Sequence, residues 1–374
     1  MVYLDYSATT PVNSEVIDTF LEVSKKYFGN PNSLHKLGSD SKRLIDAATS
    51  QIADILKISE KEIIYTSGAV EANNTAIYGV CDRYKNRGCH IITTELEHSS
   101  ILDTLEYFKK DGFRVSYVKL DDDGRVDLED LDNLMDDDTI LVSISLVNSE
   151  IGILQDLESI SKVVRKYPKV ILHSDITQAL GKVDIDFSLL DLASMSAQKI
   201  YGLKGIGMLY KRDGLEITPL IKGGKSTTIY RSGTPATPLI ASLSKALRIA
   251  FINKDEKYKH VLELNKYLVE RIKNIDNVHI NSTKYSIPHI VNISVDNVKA
   301  EVMLHALEEK DIYISTRTAC STSDKSIAVY AITHNDSFAK HSLRISISHL
   351  TTFDELDFFL KEFADEIKRF SSLK

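Results

Sequence analysis

The sequence has few cysteines, no long apolar run and no linker-like segment, and each shortage narrows the class of protein. Its three cysteines in 374 residues form no C-x-x-C pair, so we expect free thiols in a reducing compartment. No window approaches the length of a membrane span, and the first residues show no basic segment followed by an apolar run. We therefore expect a globular cytoplasmic protein whose parts pack closely together.

The charge is mildly acidic and evenly spread. The 46 basic and 53 acidic residues give a net charge of -7, and both signs are interspersed along the chain. This distribution argues against a primary nucleic-acid or anionic-membrane surface. A small-molecule or protein partner fits better, and 43% hydrophobic residues suffice for a packed core.

Short β-rich runs alternate with helical patterns in the first half of the chain. The runs occupy residues 62–67, 90–94, 114–120, 139–145 and 169–175. Helix-like stretches lie between them, at residues 69–85, 99–110 and 158–166. Such alternation predicts an α/β fold with a mainly parallel sheet covered on both faces, and ligands collect at the carboxyl ends of such strands. Three of those ends carry polar motifs, T-S-G-A-V-E-A-N-N, V-N-S-E-I-G and S-D-I-T-Q.

The chain is too long for one hydrophobic core, so we predict two domains. The alternation of strands and helices ends near residue 255, where a long charged helix leads into mixed strands and helices. We assign residues 16–255 to a large α/β domain, and residues 1–15 with 256–374 to a smaller α+β domain. The last helix should begin with a capping box formed by Thr352 and Glu355.

The sharpest chemical signal is the pair Lys199 and Asp175. Lys199 follows an apolar, small-residue strand and precedes a glycine-rich turn, where an imine-forming lysine would be partly desolvated. Asp175 ends another strand, where its carboxylate could keep a pyridine nitrogen protonated, as a pyridoxal phosphate electron sink requires. A solvated surface lysine remains the alternative explanation for Lys199 taken alone.

Cys320 lies among small hydroxyl residues, in S-T-R-T-A-C-S-T-S-D-K-S. A thiol kept for packing is usually found among apolar neighbours, whereas a reactive thiol needs access and a polar setting. The polar neighbours of Cys320 therefore favour a reactive thiol. Cys81 and Cys89 are interpreted as structural, and no histidine spacing indicates a metal site.

Several motifs in order along the chain resemble those of the pyridoxal-phosphate-dependent cysteine desulfurases of the NifS and IscS type. The likeness runs from about residue 3 to residue 360, and its collinearity makes it far more specific than any single motif. The motifs are L-D-Y-S-A-T-T-P, F-G-N-P-N-S-L-H, Y-T-S-G-A-V-E-A-N-N, L-E-H-S-S, V-N-S-E-I-G, D-I-T-Q, K-I-Y-G-L-K-G-I-G, R-S-G-T, T-A-C-S-T and L-R-I-S-I-S.

The resemblance implies a homodimer of the aspartate-aminotransferase fold (fold type I) that converts L-cysteine to L-alanine. It implies that Cys320 receives the sulfur as a persulfide and passes it to an acceptor protein, such as a scaffold or a tRNA-thiolation enzyme. Arg344 would clamp the substrate carboxylate. At pyridoxal phosphate, the resemblance implies that Lys199 forms the imine, that Asp175 pairs with the ring nitrogen and that Gln178 hydrogen-bonds the ring hydroxyl. It implies that His98 stacks on the ring and transfers protons. The phosphate would be bound by Ser196 and by the amides at Ala69 and Val70, and Thr234 would contact the neighbouring subunit's phosphate.

The sequence departs from the family pattern around the expected cofactor. Val70 stands where a threonine is usual, Ser149 where an asparagine approaches the cofactor, and Gln198 where a histidine precedes the lysine. Lys225 and Arg317 add positive charge. The alternatives are a selenocysteine lyase or small-substrate aminotransferase on the same fold, or a non-catalytic sulfur-relay adaptor. An aminotransferase would not need Cys320, and an adaptor has no reason to keep Lys199, Asp175 and Arg344 together.

Overall fold

The computed structural model describes residues 1–224, 226–316 and 325–372 of the chain. The strands are β1 (Val2–Tyr3), β2 (Ile63–Thr66), β3 (His90–Thr93), β4 (Arg114–Tyr117), β5 (Thr139–Ser143), β6 (Ile171–Asp175), β7 (Leu192–Ser196), β8 (Gly207–Lys211), β9 (Val278–Ile280), β10 (Ile290–Val295), β11 (Ile312–Tyr313) and β12 (Ser342–Ser346). The helices are α1 (Ser14–Lys26), α2 (Lys36–Leu56), α3 (Ala69–Tyr84), α4 (Ser99–Lys110), α5 (Leu128–Leu134), α6 (Leu157–Val164), α7 (Thr237–Phe251), α8 (Lys254–Ile272), α9 (Ala300–Glu308), α10 (Ile327–Thr333), α11 (Asp336–Lys340) and α12 (Phe353–Ser372).

The central element is a seven-stranded sheet with the order β2-β8-β7-β6-β5-β3-β4. Its strands are parallel except β8, which is antiparallel to both β2 and β7. The predicted strands and the helices between them are present within a few residues of their expected bounds. The mainly parallel sheet that the alternating pattern predicts is therefore confirmed.

Both faces of this sheet are covered, because successive strand residues enter different cores. Ile91 belongs to the core beneath α3 and α4, whereas Ile92 belongs to the core on the opposite face. Leu141 and Val142 on β5 divide in the same way. This two-sided burial follows from the alternation of side chains along a strand, and it leaves only the sheet ends open for ligands.

A core separate from these two is built from the antiparallel sheet β12-β10-β9, the parallel pair β1–β11, and helices α8, α9 and α12. Val2 and Leu4 from the chain start belong to this core. The expected capping box opens α12, because Thr352 Oγ1 accepts from the Glu355 N–H and Glu355 accepts from the Thr352 N–H. The division at residues 15 and 255 stays a prediction, which the separate cores support.

Among the helices of the described ranges, none combines the length and apolar character needed to cross a bilayer.

Candidate active site

A cavity of about 350 Å³ opens at the carboxyl ends of the central strands. It brings together most of the residues that the sequence singles out: Ala69, Val70, His98, Ser149, Asp175, Gln178, Ser196, Gln198, Lys199 and Arg344. They come from five separate strand ends and from β12, so only the fold places them together.

Lys199 ends a short 3-10 turn, Ala197–Lys199, directly after β7. Its Nζ donates to the backbone carbonyls of Ser7 and Ala8, both at 2.6 Å. The same turn is tied to the chain start by Thr10, whose N–H and hydroxyl both donate to the Gln198 carbonyl. Lys199 lines the cavity and is only partly exposed, which disfavours the explanation as a surface lysine, and its role at the cofactor stays a prediction.

Asp175 is buried at the end of β6, with its carboxylate at the cavity wall. Asn73 Nδ2 donates to Oδ2 at 2.8 Å, and the Thr177 N–H donates to Oδ1 at 2.9 Å. Each carboxylate oxygen keeps a further lone pair. The carboxylate can therefore accept one more donor from a bound ring.

His98 caps the N-terminus of α4. Its Nδ1 accepts the Ser100 N–H at 3.1 Å and lies 2.9 Å from the Ser100 hydroxyl. Because a backbone N–H can only donate, Nδ1 is the acceptor nitrogen, and the neutral ring carries its proton on Nε2. His98 also lines the cavity, and Nε2 is its nitrogen remote from the helix.

The start of α3 forms an anion cradle. No side chain caps this helix, and Gly68 to Glu71 line the cavity together with Ser196. Gly68 has φ +156°, and a Cβ there would lie 3.4 Å from Ser196 Oγ. A Cβ on Gly207 would lie 2.7 Å from Gly68 Cα, so β8 packs directly against the cradle. Open amides at a helix N-terminus suit a phosphate group.

Arg344 is 2% exposed, on β12, and reaches the same cavity. Its Nη2 donates to Asp5 Oδ1 at 2.8 Å and its Nη1 to the Ser149 carbonyl at 3.0 Å, while Nε is buried without a hydrogen-bond partner. Arg344 is thus an ion-pair partner that also keeps unused donors. A bidentate carboxylate is the ligand that such a guanidinium recognises best.

One predicted residue of the described ranges lies elsewhere. Thr234 is exposed, on the loop before α7, and does not line this cavity. Its expected contact with a neighbouring subunit stays a prediction. Cys320, like Arg317 and Lys225, lies outside the described residues. The described flank before Cys320 is close to the site, since the Ser315 and Arg344 backbones exchange hydrogen bonds of 3.1 and 2.6 Å.

Sequence reasoning gave no role to Ser7, Ala8, Asn73 or Glu97. The first two lie in the quoted motif L-D-Y-S-A-T-T-P, Asn73 in Y-T-S-G-A-V-E-A-N-N and Glu97 in L-E-H-S-S. Glu97 is buried beside His98 and accepts hydrogen bonds from Ser145 and Thr94. Burial raises the pKa of the Glu97 carboxyl to about 7. Their positions within these motifs were the sequence signal that could have identified the four residues.

The aminotransferase class-V family matches residues 2–359. The cysteine desulfurase IscS of Proteus mirabilis is 39% identical over 382 residues, covering all of this chain and 94% of that protein. A solved NifS-like protein superposes with a TM-score of 0.93 at 34% identity, covering 98% of this chain and 99% of that one. A structure described as SspA in complex with cysteine has a TM-score of 0.83 at 30% identity, covering 94% of this chain and 100% of that one.

This chain therefore belongs to the class-V aminotransferase family. The predicted fold class and the resemblance to NifS and IscS proteins are confirmed. Pyridoxal phosphate is the cofactor of this family, and the described residues fit it. Lys199 would supply the amine for its aldehyde, Asp175 the partner for its ring nitrogen, and the open start of α3 with Ser196 the phosphate cradle.

Proposed function

We propose that this chain is a cysteine desulfurase, which converts L-cysteine to L-alanine and takes the sulfur onto Cys320 as a persulfide. One observation carries the proposal: Lys199, Asp175 and Arg344 line one cavity, so an amine, a ring partner and a carboxylate clamp face the same space. The names of the relatives support the same reaction.

Each of the described residues has a distinct task. Arg344 binds the substrate carboxylate through donors that Asp5 and Ser149 leave unused, which orients the substrate amino group toward Lys199. Asp175, fixed by Asn73, holds a proton on the ring nitrogen of the cofactor. When bound, pyridoxal phosphate supplies the electron sink that makes the substrate α-proton removable. Lys199 lines the same cavity and would be the base that takes that proton, and His98 Nε2 would be the second proton carrier.

Sulfur transfer is assigned to Cys320 by the motif T-A-C-S-T. Its thiolate forms a bond with the substrate sulfur while the bond from that sulfur to the substrate β-carbon breaks. The β-carbon then takes a proton, which leaves alanine and a Cys320 persulfide. Atoms balance without any external oxidant or reductant, since one thiol and one cysteine become one persulfide and one alanine.

We further propose that the active form is a homodimer in the cytoplasm, with Thr234 of each chain reaching the other chain's cofactor phosphate. The persulfide sulfur would pass to an acceptor protein in iron-sulfur cluster assembly or tRNA thiolation. The proposal is tested by adding L-cysteine to the cofactor-loaded protein and measuring alanine. A protein that retains the cofactor but forms no alanine, with a thiol reductant present to turn over the persulfide, would refute it.

A further inference from the structure

Lys182 lies at the end of a line of hydrogen bonds that leads to Lys199. Its Nζ donates to Gln178 Oε1 at 3.0 Å. Gln178 Nε2 in turn donates to the Ser7 carbonyl at 2.9 Å, and Lys199 donates to the same carbonyl at 2.6 Å. Lys182 does not line the main cavity, yet it is one side chain removed from Lys199 and from the ring position.

The two contacts of Gln178 fix which way its amide points. Because the Ser7 carbonyl can only accept, Nε2 must face Ser7, and Oε1 is then the atom that accepts from Lys182. This arrangement leaves the second N–H of Nε2 unused at the cavity wall. Without Lys182, Oε1 loses this donor, and the amide is held by the Ser7 carbonyl alone.

The described residues around Lys182 give no other reason for a lysine at this position. It borders a smaller cavity of about 30 Å³ behind Lys199, and the charged or titratable groups that line this cavity are Lys199, Lys254, Lys257, Tyr201, Tyr258, His289 and His349. Among the described residues, none that line it is a carboxylate, and none forms an ion pair with Lys182. Burial, Lys199 and Arg344 lower the pKa of Lys182 to about 7.

We propose that Lys182 is a positioning residue of the cofactor site, which holds the Gln178 amide so that its N–H faces the bound ring. This rests on the proposed cofactor role of Gln178. Keeping a lysine charged among other cations is unfavourable. The hydrogen bond to Gln178 is the favourable contact that the structure shows for it.

The test is a double-mutant cycle on cofactor affinity, measured by absorbance as apo protein is titrated with pyridoxal phosphate. Lys182→Met should weaken affinity roughly 2- to 10-fold, the worth of one hydrogen bond, and Gln178→Ala should weaken it at least as much. The double variant should bind no more weakly than Gln178→Ala alone, because Lys182 acts through Gln178. Lys182→Arg should restore wild-type affinity.

Lys257→Met is the matched control, since Lys257 lines the same small cavity but donates to the Ile249 carbonyl. It should leave affinity unchanged. Lys182→Gln, too short to reach Gln178, replaces the methionine variant if thermal unfolding shows that the latter does not fold. In the loaded proteins, Lys182→Met and Gln178→Ala should also shift the pH at which the visible absorbance titrates, whereas Lys257→Met should not.

The outcomes separate the two proposals. Additive losses in the double variant, or no loss in Lys182→Met beside a clear loss in Gln178→Ala, would overturn the positioning role alone. Unchanged affinity in Gln178→Ala would overturn the cofactor role of Gln178 and the positioning role with it. Neither result depends on desulfurase turnover.

Discussion

Asn73 and Asp175 are 102 residues apart in the sequence and are joined by a hydrogen bond of 2.8 Å between the amide of one and the carboxylate of the other. The Asn73 amide donates its other proton to Ser100 Oγ at 2.9 Å. Both residues are buried, so the carboxylate is fixed in direction before any ligand arrives. A carboxylate held in this way can meet a ring nitrogen without reorganisation.

Removal of the Asn73 amide should therefore weaken cofactor binding. In Asn73→Ala one oxygen of Asp175 loses a charge-assisted hydrogen bond, worth about 1.5 to 3 kcal/mol, and we expect about tenfold lower affinity for pyridoxal phosphate. Asn74→Ala is the control, because Asn74 bonds the Val70 and Ser100 carbonyls instead. Equal affinities in the two variants would show that Asp175 needs no support from Asn73.

Lys199→Ala should abolish alanine formation while leaving the fold intact, since Lys199 bonds two backbone carbonyls and fills no core. The measurements are alanine release from L-cysteine and the circular dichroism of the variant. Lys204→Ala, at an exposed position five residues on, should behave as wild type. Full turnover in Lys199→Ala would remove Lys199 from the proposed mechanism.

Val70→Thr should tighten cofactor retention during dialysis. Val70 is 57% exposed and lines the anion cradle in the first turn of α3, so a hydroxyl there gains a phosphate acceptor without disturbing a core. A charge-assisted hydrogen bond of about 1.5 to 3 kcal/mol corresponds to roughly tenfold to hundredfold slower loss. Val70→Ala, which adds no donor, should show no gain. If the threonine variant also shows none, the phosphate is held by other groups.

Cys320→Ser should still bind L-cysteine, seen as a change in cofactor absorbance, because Lys199, Asp175 and Arg344 are untouched. It should release no alanine. In the wild-type protein treated with L-cysteine, mass spectrometry after digestion should find one added sulfur on the Cys320 peptide. Added sulfur on the peptides of Cys81 or Cys89, or alanine release at the wild-type rate by the serine variant, would rule out Cys320 as the acceptor.

Glu97 should make stability depend on pH. Burial raises the pKa of its carboxyl from 4.5 to about 7, so between these values the folded state binds more protons than the unfolded state. The free energy of unfolding should therefore fall as pH rises through this window, by an amount on the order of 3 kcal/mol at most. Glu97→Gln, which cannot ionise, should show a flatter profile in denaturant titrations at about pH 5 and about pH 8. Parallel profiles would mean that Glu97 does not titrate in this range.

The sheet and its chemically active ends could be predicted because their causes are local. The alternation of strands and helices predicts parallel strands. Parallel strands bring the strand ends that carry His98, Asp175 and Lys199 to one edge of the sheet. The bounds of α4 follow directly from its apolar spacing and its cap at His98.

The supporting contacts could not be predicted, because they join distant segments through geometry alone. Nothing in the composition of the chain start indicates that the Ser7 carbonyl receives Gln178 and Lys199. Arg344 was expected to clamp the substrate carboxylate, and nothing in the motif indicated that it also pairs with Asp5. These outcomes depend on rotamers and on the register of β12, which a sequence pattern does not specify.

The contacts of Ser7 and Ala8 with Lys199 have a consequence for the order in which the site forms during synthesis. Ser7 and Ala8 can meet Lys199 only when the segment before them is in place, and that segment is aligned by β11 and by β12, through Val2, Leu4 and Ser346. Both strands follow Lys199 in the chain. A nascent chain therefore carries its reactive amine for more than a hundred residues before the strands that align the two carbonyls are made.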